Sequence, residues 1–311
     1  MTMDRTLSDA ELSSYFDELL ETIGLPGLRE QIEEDWLLND GLRLHLDLFL
    51  SEPSSPALVF FPGTSVYSIF YAEFMHKIRL KGFNVVGIDP RGHGRSEGRR
   101  ASYTVSSLVS DAKAAVSYAI ERFGDRVAIA GSSQGGIVSF YTAAADDRLK
   151  AAVCHNVAVL DKPDSVRLTR NPRVSLFVKR LLPLARLLPN MRVPVSSYLD
   201  LKTETTKIGG NAYEFIKRDP LATSSITLEA LASLTTTPPP KPPEGIKVPV
   251  MVLHGELDNI FPLDYVKGIY DRLNCEKEFL LLKDTPHLIM TDYVDELIPS
   301  VTTWLNRFLI E

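Results

Sequence analysis

The sequence predicts an α/β architecture: a mostly parallel sheet opened by an antiparallel hairpin, with helices on both faces and an inserted helical lid. Three observations carry this expectation. Short apolar runs alternate with helical stretches over residues 57–155 and again over 248–310, the rhythm of βαβ units. Asn39-Asp40-Gly41 separates two alternating runs, a hairpin signal. The alternation then breaks between about Leu160 and Pro243, leaving room for an insertion.

In chain order, residues 8–23 carry Leu12, Phe16, Leu19, Leu20 and Ile23 at helical spacing, behind Ser8 as N-cap and Glu11 at the capping-box position. Residues 1–30 read as an N-terminal helical extension. The hairpin from Glu33 to Leu50 puts Leu42, Leu44, Leu46 and Leu48 on one face. Ala57–Phe61 is a buried strand stopped by Pro62-Gly63, followed by a helical stretch, Ser68–Lys81, and a strand, Phe83–Ile88. Beyond the loop that starts at Asp89-Pro90-Arg91 come a helix (Thr104–Phe123), a strand (Arg126–Ala130), an apolar helix (Ile137–Ala145) and a strand (Leu149–His155). The pattern resumes with Val248–Leu253, a helix over Leu263–Leu273, the strand Glu278–Leu282 and an amphipathic helix, Tyr293–Ile310. Residues 31–159 and 244–311 therefore form the core, and 160–243 the lid. Within the lid, Val174–Leu182 and Leu184–Leu188 read as turns of helix and Ile216–Leu231 as a helical region. Thr235–Pro243 reads as a stiff proline-rich return.

One junction in this frame carries chemistry. The apolar run Val127–Ala130 meets Gly131-Ser132-Ser133-Gln134-Gly135, and an apolar helix follows. This is the strand–turn–helix setting of a G-x-S-x-G nucleophile elbow, with Ser133 at a strained apex. Gly131 and Gly135 sit where strand and helix pass too close for a Cβ. The backbone N–H of Gln134, at the helix start, points to a developing oxyanion. Gly94-Arg95-Ser96-Glu97-Gly98 matches the same pattern, but no strand enters it and no apolar helix leaves it, so Ser96 reads as a loop residue.

A serine nucleophile needs a base, and the base needs an orienting acid. His287, in the loop after the last strand, is the candidate base; Asp258, in the loop after Val248–Leu253, is the candidate acid. Their order Ser, Asp, His suits the architecture. Glu256 and Asp284 are nearby rivals for the acid, and Asp161 a more distant one. The loop after Phe61 should supply the second oxyanion donor, with the N–H of Thr64 preferred over that of Ser65. His93 and His254 read as structural, while His45, His76 and His155 show no partner pattern.

Composition excludes several other classes. The net charge of −6 argues against a nucleic-acid partner. No apolar run approaches a membrane span, and the N-terminus lacks the apolar stretch of a signal peptide, so a cytoplasmic protein is expected. Cys154 reads as a buried free thiol and Cys275 as a turn residue, neither placed for a cysteine nucleophile or a metal site.

These residues together resemble the α/β-hydrolase superfamily, in particular serine hydrolases of the monoacylglycerol lipase, lysophospholipase and carboxylesterase group. The resemblance rests on the loop Asp89–Gly98, the elbow Gly131–Gly135, the loop Gly255–Asp258 and His287. It spans about Trp36 to Leu309 except the lid. It implies an α/β-hydrolase fold, a Ser133–His287–Asp258 triad and hydrolysis of acyl esters without metal or organic cofactor. In that group the residue after a His-Gly pair donates to the oxyanion, which maps onto Thr64; here Pro62 stands where His is usual, and Thr285 where Gly is common. Dehalogenases and epoxide hydrolases of this fold carry Asp at the elbow, so Ser133 points to acyl transfer. An acyl-thioesterase shares the triad, and a non-catalytic ligand-binding protein is the reading from another class.

The lid holds the remaining substrate information. Between Lys162 and Arg192 stand eight basic residues (Lys162, Arg167, Arg170, Arg173, Lys179, Arg180, Arg186, Arg192) against one acid, Asp164. Leu176, Phe177, Leu181, Leu182, Leu184, Leu187 and Leu188 interleave with them. Such a stretch is either a lid helix with a solvated basic face or a peripheral contact for an anionic head group, CoA or a lipid surface.

Overall fold

The computed structural model describes residues 8–173, 187–206 and 210–310. Its main sheet contains β1 (Ile32–Asn39), β2 (Leu42–Phe49), β3 (Ala57–Phe61), β4 (Asn84–Ile88), β5 (Val127–Ser132), β6 (Ala151–His155), β9 (Val250–Gly255) and β10 (Lys277–Leu282). Their spatial order is β1-β2-β4-β3-β5-β6-β9-β10. β1 pairs antiparallel with β2, and β2 antiparallel with β4; every other pairing is parallel. The first turn follows from Asp40 and Gly41, whose φ values of 50° and 77° are those a two-residue type I′ hairpin requires.

The central strands explain their own sequence. Every residue of β3, β4, β5, β6 and β9 is buried, so these strands read as unbroken apolar runs, covered on both faces. On one face lie α3 (Val105–Phe123), α4 (Gln134–Ala145) and, further along, a helix over Leu263–Asp271. On the other lie α1 (Asp9–Thr22), α2 (Ala72–Arg79) and the long final helix, Val294–Leu309. Ser8 caps α1 and forms the reciprocal capping box with Glu11; Phe16, Leu19 and Leu20 are buried against the core.

Three boundaries differ from the sequence reading. The elbow strand continues through Ser132 and its helix opens at Gln134, before the apolar run that begins at Ile137. The closing helix begins with a separate turn, Ile289–Asp292, before Val294–Leu309. The region Ile216–Leu231 is not one helix. A short helix, α5 (Ala212–Arg218), stops because Pro220 forces Asp219 out of the helical region (φ −66°, ψ 125°). Thr227 then caps α6 (Leu228–Thr236). Nor is residues 160–243 wholly helical: β7 (Arg192–Pro194) and β8 (Ser225–Thr227) form a small antiparallel sheet. The turns expected at Val174–Leu182 and over 184–186 lie outside the described residues. No helix among the described residues is long and apolar enough to cross a membrane.

Asp219 joins three parts of the molecule. Its Oδ2 accepts from the phenols of Tyr15 in α1 and Tyr67 after β3, both at 2.7 Å. Its Oδ1 accepts from the N–H groups of Leu221 (2.7 Å) and Ala222 (2.9 Å).

The elbow leaves no room for side chains at its glycines. A Cβ on Gly135 would lie 2.1 Å from the Phe61 carbonyl oxygen, and one on Gly131 would lie 2.2 Å from that of Gly135. These neighbours are backbone and cannot rotate away. Gly135→Ala is therefore expected to cost about 3 kcal/mol or more of stability, read as a lowered urea midpoint. A midpoint equal to wild type would show that the strand–helix contact is looser than this spacing implies.

Candidate active site

β5 ends and α4 begins at Ser133, which adopts φ 55°, ψ −114°, a region that costs a non-glycine residue strain energy. Its N–H is held by the His155 carbonyl at 3.0 Å. Being pinned between strand and helix, Ser133 lines both of the two cavities that meet at this point. Gln134 is the first residue of α4, so its N–H has no intrahelical acceptor and sits at the positive end of the helix.

The loop after β3 faces the same point. The N–H of Gly63 donates to Tyr71 Oη at 3.3 Å, which leaves Thr64 as the next amide. Thr64 Oγ1 donates to Gln134 Oε1 at 2.8 Å, and Tyr103 Oη donates to the same oxygen at 3.0 Å, tying this loop to the start of α4. Thr64 lines both cavities; Ser65 (φ 73°) is buried, lines neither, and offers its carbonyl to Thr223 N–H at 2.9 Å.

His287 and Asp258 come together from the loops after β10 and β9. His287 Nδ1 and Asp258 Oδ2 are 2.7 Å apart, and both residues are buried. Asp258 is held by three further donors: the N–H groups of Ile260 and Phe261 on Oδ1, each at 2.8 Å, and Asn156 Nδ2 on Oδ2, also at 2.8 Å. The Phe261 ring stacks on the imidazole with an interplanar angle of 5°. Burial opposes a charge on His287, but the Asp258 carboxylate, by charge and hydrogen bond, and Glu204 outweigh it and raise the pKa above its ordinary value. Burial likewise pushes the Asp258 carboxyl up; the imidazole and the amide donors overcome this and hold it far below the carboxylate range. His287 and Ser133 line the same cavity without a direct hydrogen bond among the described residues. Such contacts often tighten only when substrate is bound.

The rival acids are engaged elsewhere. Glu256 accepts the Asp284 N–H at 3.1 Å, with both residues exposed, and Asp161 pairs with Lys162 at 3.2 Å. Ser96, the serine of the second G-x-S-x-G, is a buried loop residue whose hydroxyl donates to the Asp89 carbonyl and accepts the His45 N–H at 2.7 Å. His93 binds the Arg91 carbonyl through Nδ1 at 3.0 Å. His45, on β2, packs against Asp47 and Asp89; burial lowers its pKa, yet these carboxylates and Glu34 carry it up to about 9.

Three residues near the site had no sequence signal assigned to them. His155, at the end of β6, places Nδ1 3.0 Å from Ser132 Oγ and its ring 4.9 Å from that of His287. Burial and the neighbouring imidazole keep it neutral, well below its ordinary pKa. Asn156 (φ 68°) bridges Asp258 and His254. Glu204 Oε2 accepts the His287 N–H at 3.1 Å, bringing a buried carboxylate from the inserted segment onto the histidine loop. For the first two, a signal existed: they follow the carboxyl end of a parallel strand, where ligand sites of open α/β sheets collect. His155, Asp258 and His287 bring nitrogen and oxygen atoms within 4.8 Å of one another, a spacing that could ligate a metal. Two of these residues, Asp258 and His287, are already hydrogen-bonded to each other.

Most described basic residues of the inserted segment are paired within the chain. Arg167 meets Asp264 at 2.7 Å, Arg170 meets Asp200 at 3.8 Å, and Arg192 donates to the Arg100 carbonyl at 2.7 Å. Lys179, Arg180 and Arg186, and the interleaved Leu176, Phe177, Leu181, Leu182 and Leu184, lie outside the described residues. Leu187 and Leu188 are exposed.

Residues 52–293 match the family model described as serine aminopeptidase, S33. The chain is 23% identical over 234 residues to AB hydrolase superfamily protein YisY of Bacillus subtilis (strain 168), across 72% of this chain and 83% of that protein. A monoacylglycerol lipase from Paleococcus ferrophilus superposes with a TM-score of 0.70 at 22% identity, over 85% of this chain and 99% of that one. A soluble variant of monoglyceride lipase from Saccharomyces cerevisiae, in complex with a substrate analogue, gives 0.72 at 16% identity, over 90% and 96%. At these identities the solved structures speak for the α/β-hydrolase fold.

Proposed function

We propose that this chain, which belongs to the serine aminopeptidase (S33) family of α/β-hydrolases, is a serine esterase that cleaves carboxylic esters through an acyl-enzyme. The observation that carries this reading is the 2.7 Å bond between His287 Nδ1 and Asp258 Oδ2, on the cavity that the strained Ser133 also lines. Ser133 Oγ attacks the ester carbonyl as His287 Nε2 takes its proton. The oxyanion is received by the N–H groups of Thr64 and Gln134, each such donor contributing ~2.7–4 kcal/mol to the transition state. The protonated His287, stabilised by Asp258, returns its proton to the departing alkoxide. Water activated by the same imidazole then releases the acid and restores Ser133.

Two cavities accommodate the two halves of the ester. One is walled by Leu160, Leu168, Leu231 and Leu234, the other by Val66, Phe70, Leu201 and Phe215, and Leu199 and Ile260 belong to both. Among the described residues no Lys, Arg, Asp or Glu lines either, which favours a neutral ester over a CoA thioester or an ester with a charged head group. Residues 160–243 act as the lid over a core of 31–159 and 244–311, residues 1–30 as an extension, and the protein works in the cytoplasm on small acyl esters.

A p-nitrophenyl ester series from acetate to palmitate tests the reading. Apolar walls predict that kcat/KM rises by up to roughly fourfold per methylene, the equivalent of burying one CH₂, until the cavity is full. Failure to hydrolyse any member would overturn the esterase assignment and favour a thioester substrate or a binding protein.

A further inference from the structure

The inserted segment reaches both loops of the candidate triad with two consecutive residues. Thr203 Oγ1 accepts from Asn259 Nδ2 at 2.6 Å, on the residue that follows Asp258. Glu204 Oε2 accepts the His287 N–H at 3.1 Å. The two loops are already joined to each other, since the Leu257 N–H donates to the Thr285 carbonyl at 2.9 Å. The insertion therefore adds a second tie across them, and this one ends on the base.

Glu204 is fixed where it stands. Its carbonyl accepts the Ala212 N–H at 2.8 Å, and next to it Thr203 Oγ1 donates to the Asp200 carbonyl at 3.0 Å. The side chain is 1% exposed, and no Lys or Arg among the described residues pairs with its carboxylate. A buried carboxylate without a cation bears a desolvation cost that a neutral amide accepting the same N–H would avoid. Burial accordingly pushes the Glu204 carboxyl up, as do Asp258 and Asp200, while the His287 imidazole and N–H oppose them.

The charge has one cation within reach, the protonated base. Covalent geometry keeps an imidazole beside its own backbone nitrogen, so a carboxylate bound to the His287 N–H is a neighbour of the ring as well. The other titratable groups around that ring are Asp258, on Nδ1 at 2.7 Å, and His155, whose ring centroid is 4.9 Å away and which burial keeps neutral. His254 stands behind Asn156.

Resting on the esterase reading, we infer that Glu204 is a positioning residue for the base. Through the His287 N–H it holds the imidazole between Asp258 and Ser133, and its charge favours the imidazolium that forms as Ser133 attacks. Asp258 acts on His287 through the ring and Glu204 through the backbone. The inserted segment is then part of the catalytic apparatus as well as a wall of the cavities.

Glu204→Gln keeps an acceptor for the N–H and removes the charge. Its acid limb in kcat/KM on p-nitrophenyl butyrate is expected to begin about half a pH unit or more below that of wild type, at unchanged KM. Its Tm should be unchanged or higher, because a buried charge is removed. Glu204→Ala removes the acceptor too, and its kcat at the alkaline plateau should lie about tenfold or more below that of Glu204→Gln, the effect of a misplaced base. A purely structural Glu204 would move Tm and leave the limb in place. An acid limb shared by wild type and Glu204→Gln, or equal plateau kcat in Glu204→Ala and Glu204→Gln, overturns the inference and leaves the esterase reading standing. Should wild type hydrolyse no ester, the esterase reading fails by itself. In that case, or if Glu204→Ala does not fold, the His287 titration followed by NMR in Ser133→Ala, with and without Glu204→Gln, decides. A His287 pKa lower by about half a unit or more in the double variant supports the inference, and an equal one overturns it.

Discussion

Ser133→Ala is expected to lower kcat on p-nitrophenyl esters by on the order of 10⁶-fold, the loss seen when a nucleophile that acts as one unit with its base is removed. The neighbouring serine offers no substitute. Ser132 ends β5, and its Oγ is held 3.0 Å from His155 Nδ1, facing a histidine that burial keeps neutral and that is not the one bonded to Asp258. Alanine bears the same backbone strain at φ 55° as serine, so the fold should persist and the loss be chemical. Labelling with a fluorophosphonate gives the parallel readout: wild type gains one adduct on the peptide that holds Ser133, and the variant gains none. Retention of more than about a hundredth of wild-type turnover would relocate the nucleophile, because residual catalysis by binding and oxyanion donors alone lies far lower.

Asp258→Asn is the second large effect, with kcat expected to fall by about 10⁴-fold while KM changes little. Asparagine keeps the size and can still accept from Ile260 and Phe261, but it removes the charge and presents the wrong tautomer partner to His287. The pH profile distinguishes this role from a structural one. His287 must be neutral to take the Ser133 proton, so activity is lost as pH falls through its pKa. With Asp258 in place that pKa lies above its ordinary value, so the acid limb of wild type begins at higher pH than for an isolated imidazole. Without the carboxylate, burial dominates and the limb moves to lower pH. An acid limb at the same position in both proteins would mean that Asp258 does not act on the base.

The fold was legible because its signals are local. Unbroken apolar runs such as Ala57–Phe61 and Val127–Ala130 can only be strands buried on both faces, and Asp40-Gly41 can only be a tight turn. The candidate site was legible where a motif constrained backbone shape: Gly131 and Gly135 mark the elbow because carbonyl oxygens stand where their Cβ atoms would be. Glu204 was not legible, since it reaches its place through an insertion without periodicity and against a partner far away in sequence, His287. His155 illustrates a different limit. Its Nδ1 bond to Ser132 is a consequence of β5 and β6 being neighbours, and strand adjacency is a property of the whole sheet rather than of any window of residues. The inserted segment was misread as helical for a related reason: β7 and β8 are three residues each, too short for alternation to show, and exist because they pair with each other.

The carboxylate of Asp219 has a consequence for how the molecule fluctuates. It collects donors from α1, from the loop after β3 and from the inserted segment. Parting any one of them leaves a buried acceptor short of hydrogen bonds, so thermal openings release the three together. In hydrogen exchange, the amides of Leu221 and Ala222 and those of helix 9–22 should therefore share one opening free energy. The amino-terminal helix is then part of one cooperative unit with the inserted segment, although it contributes no side chain to either cavity around Ser133.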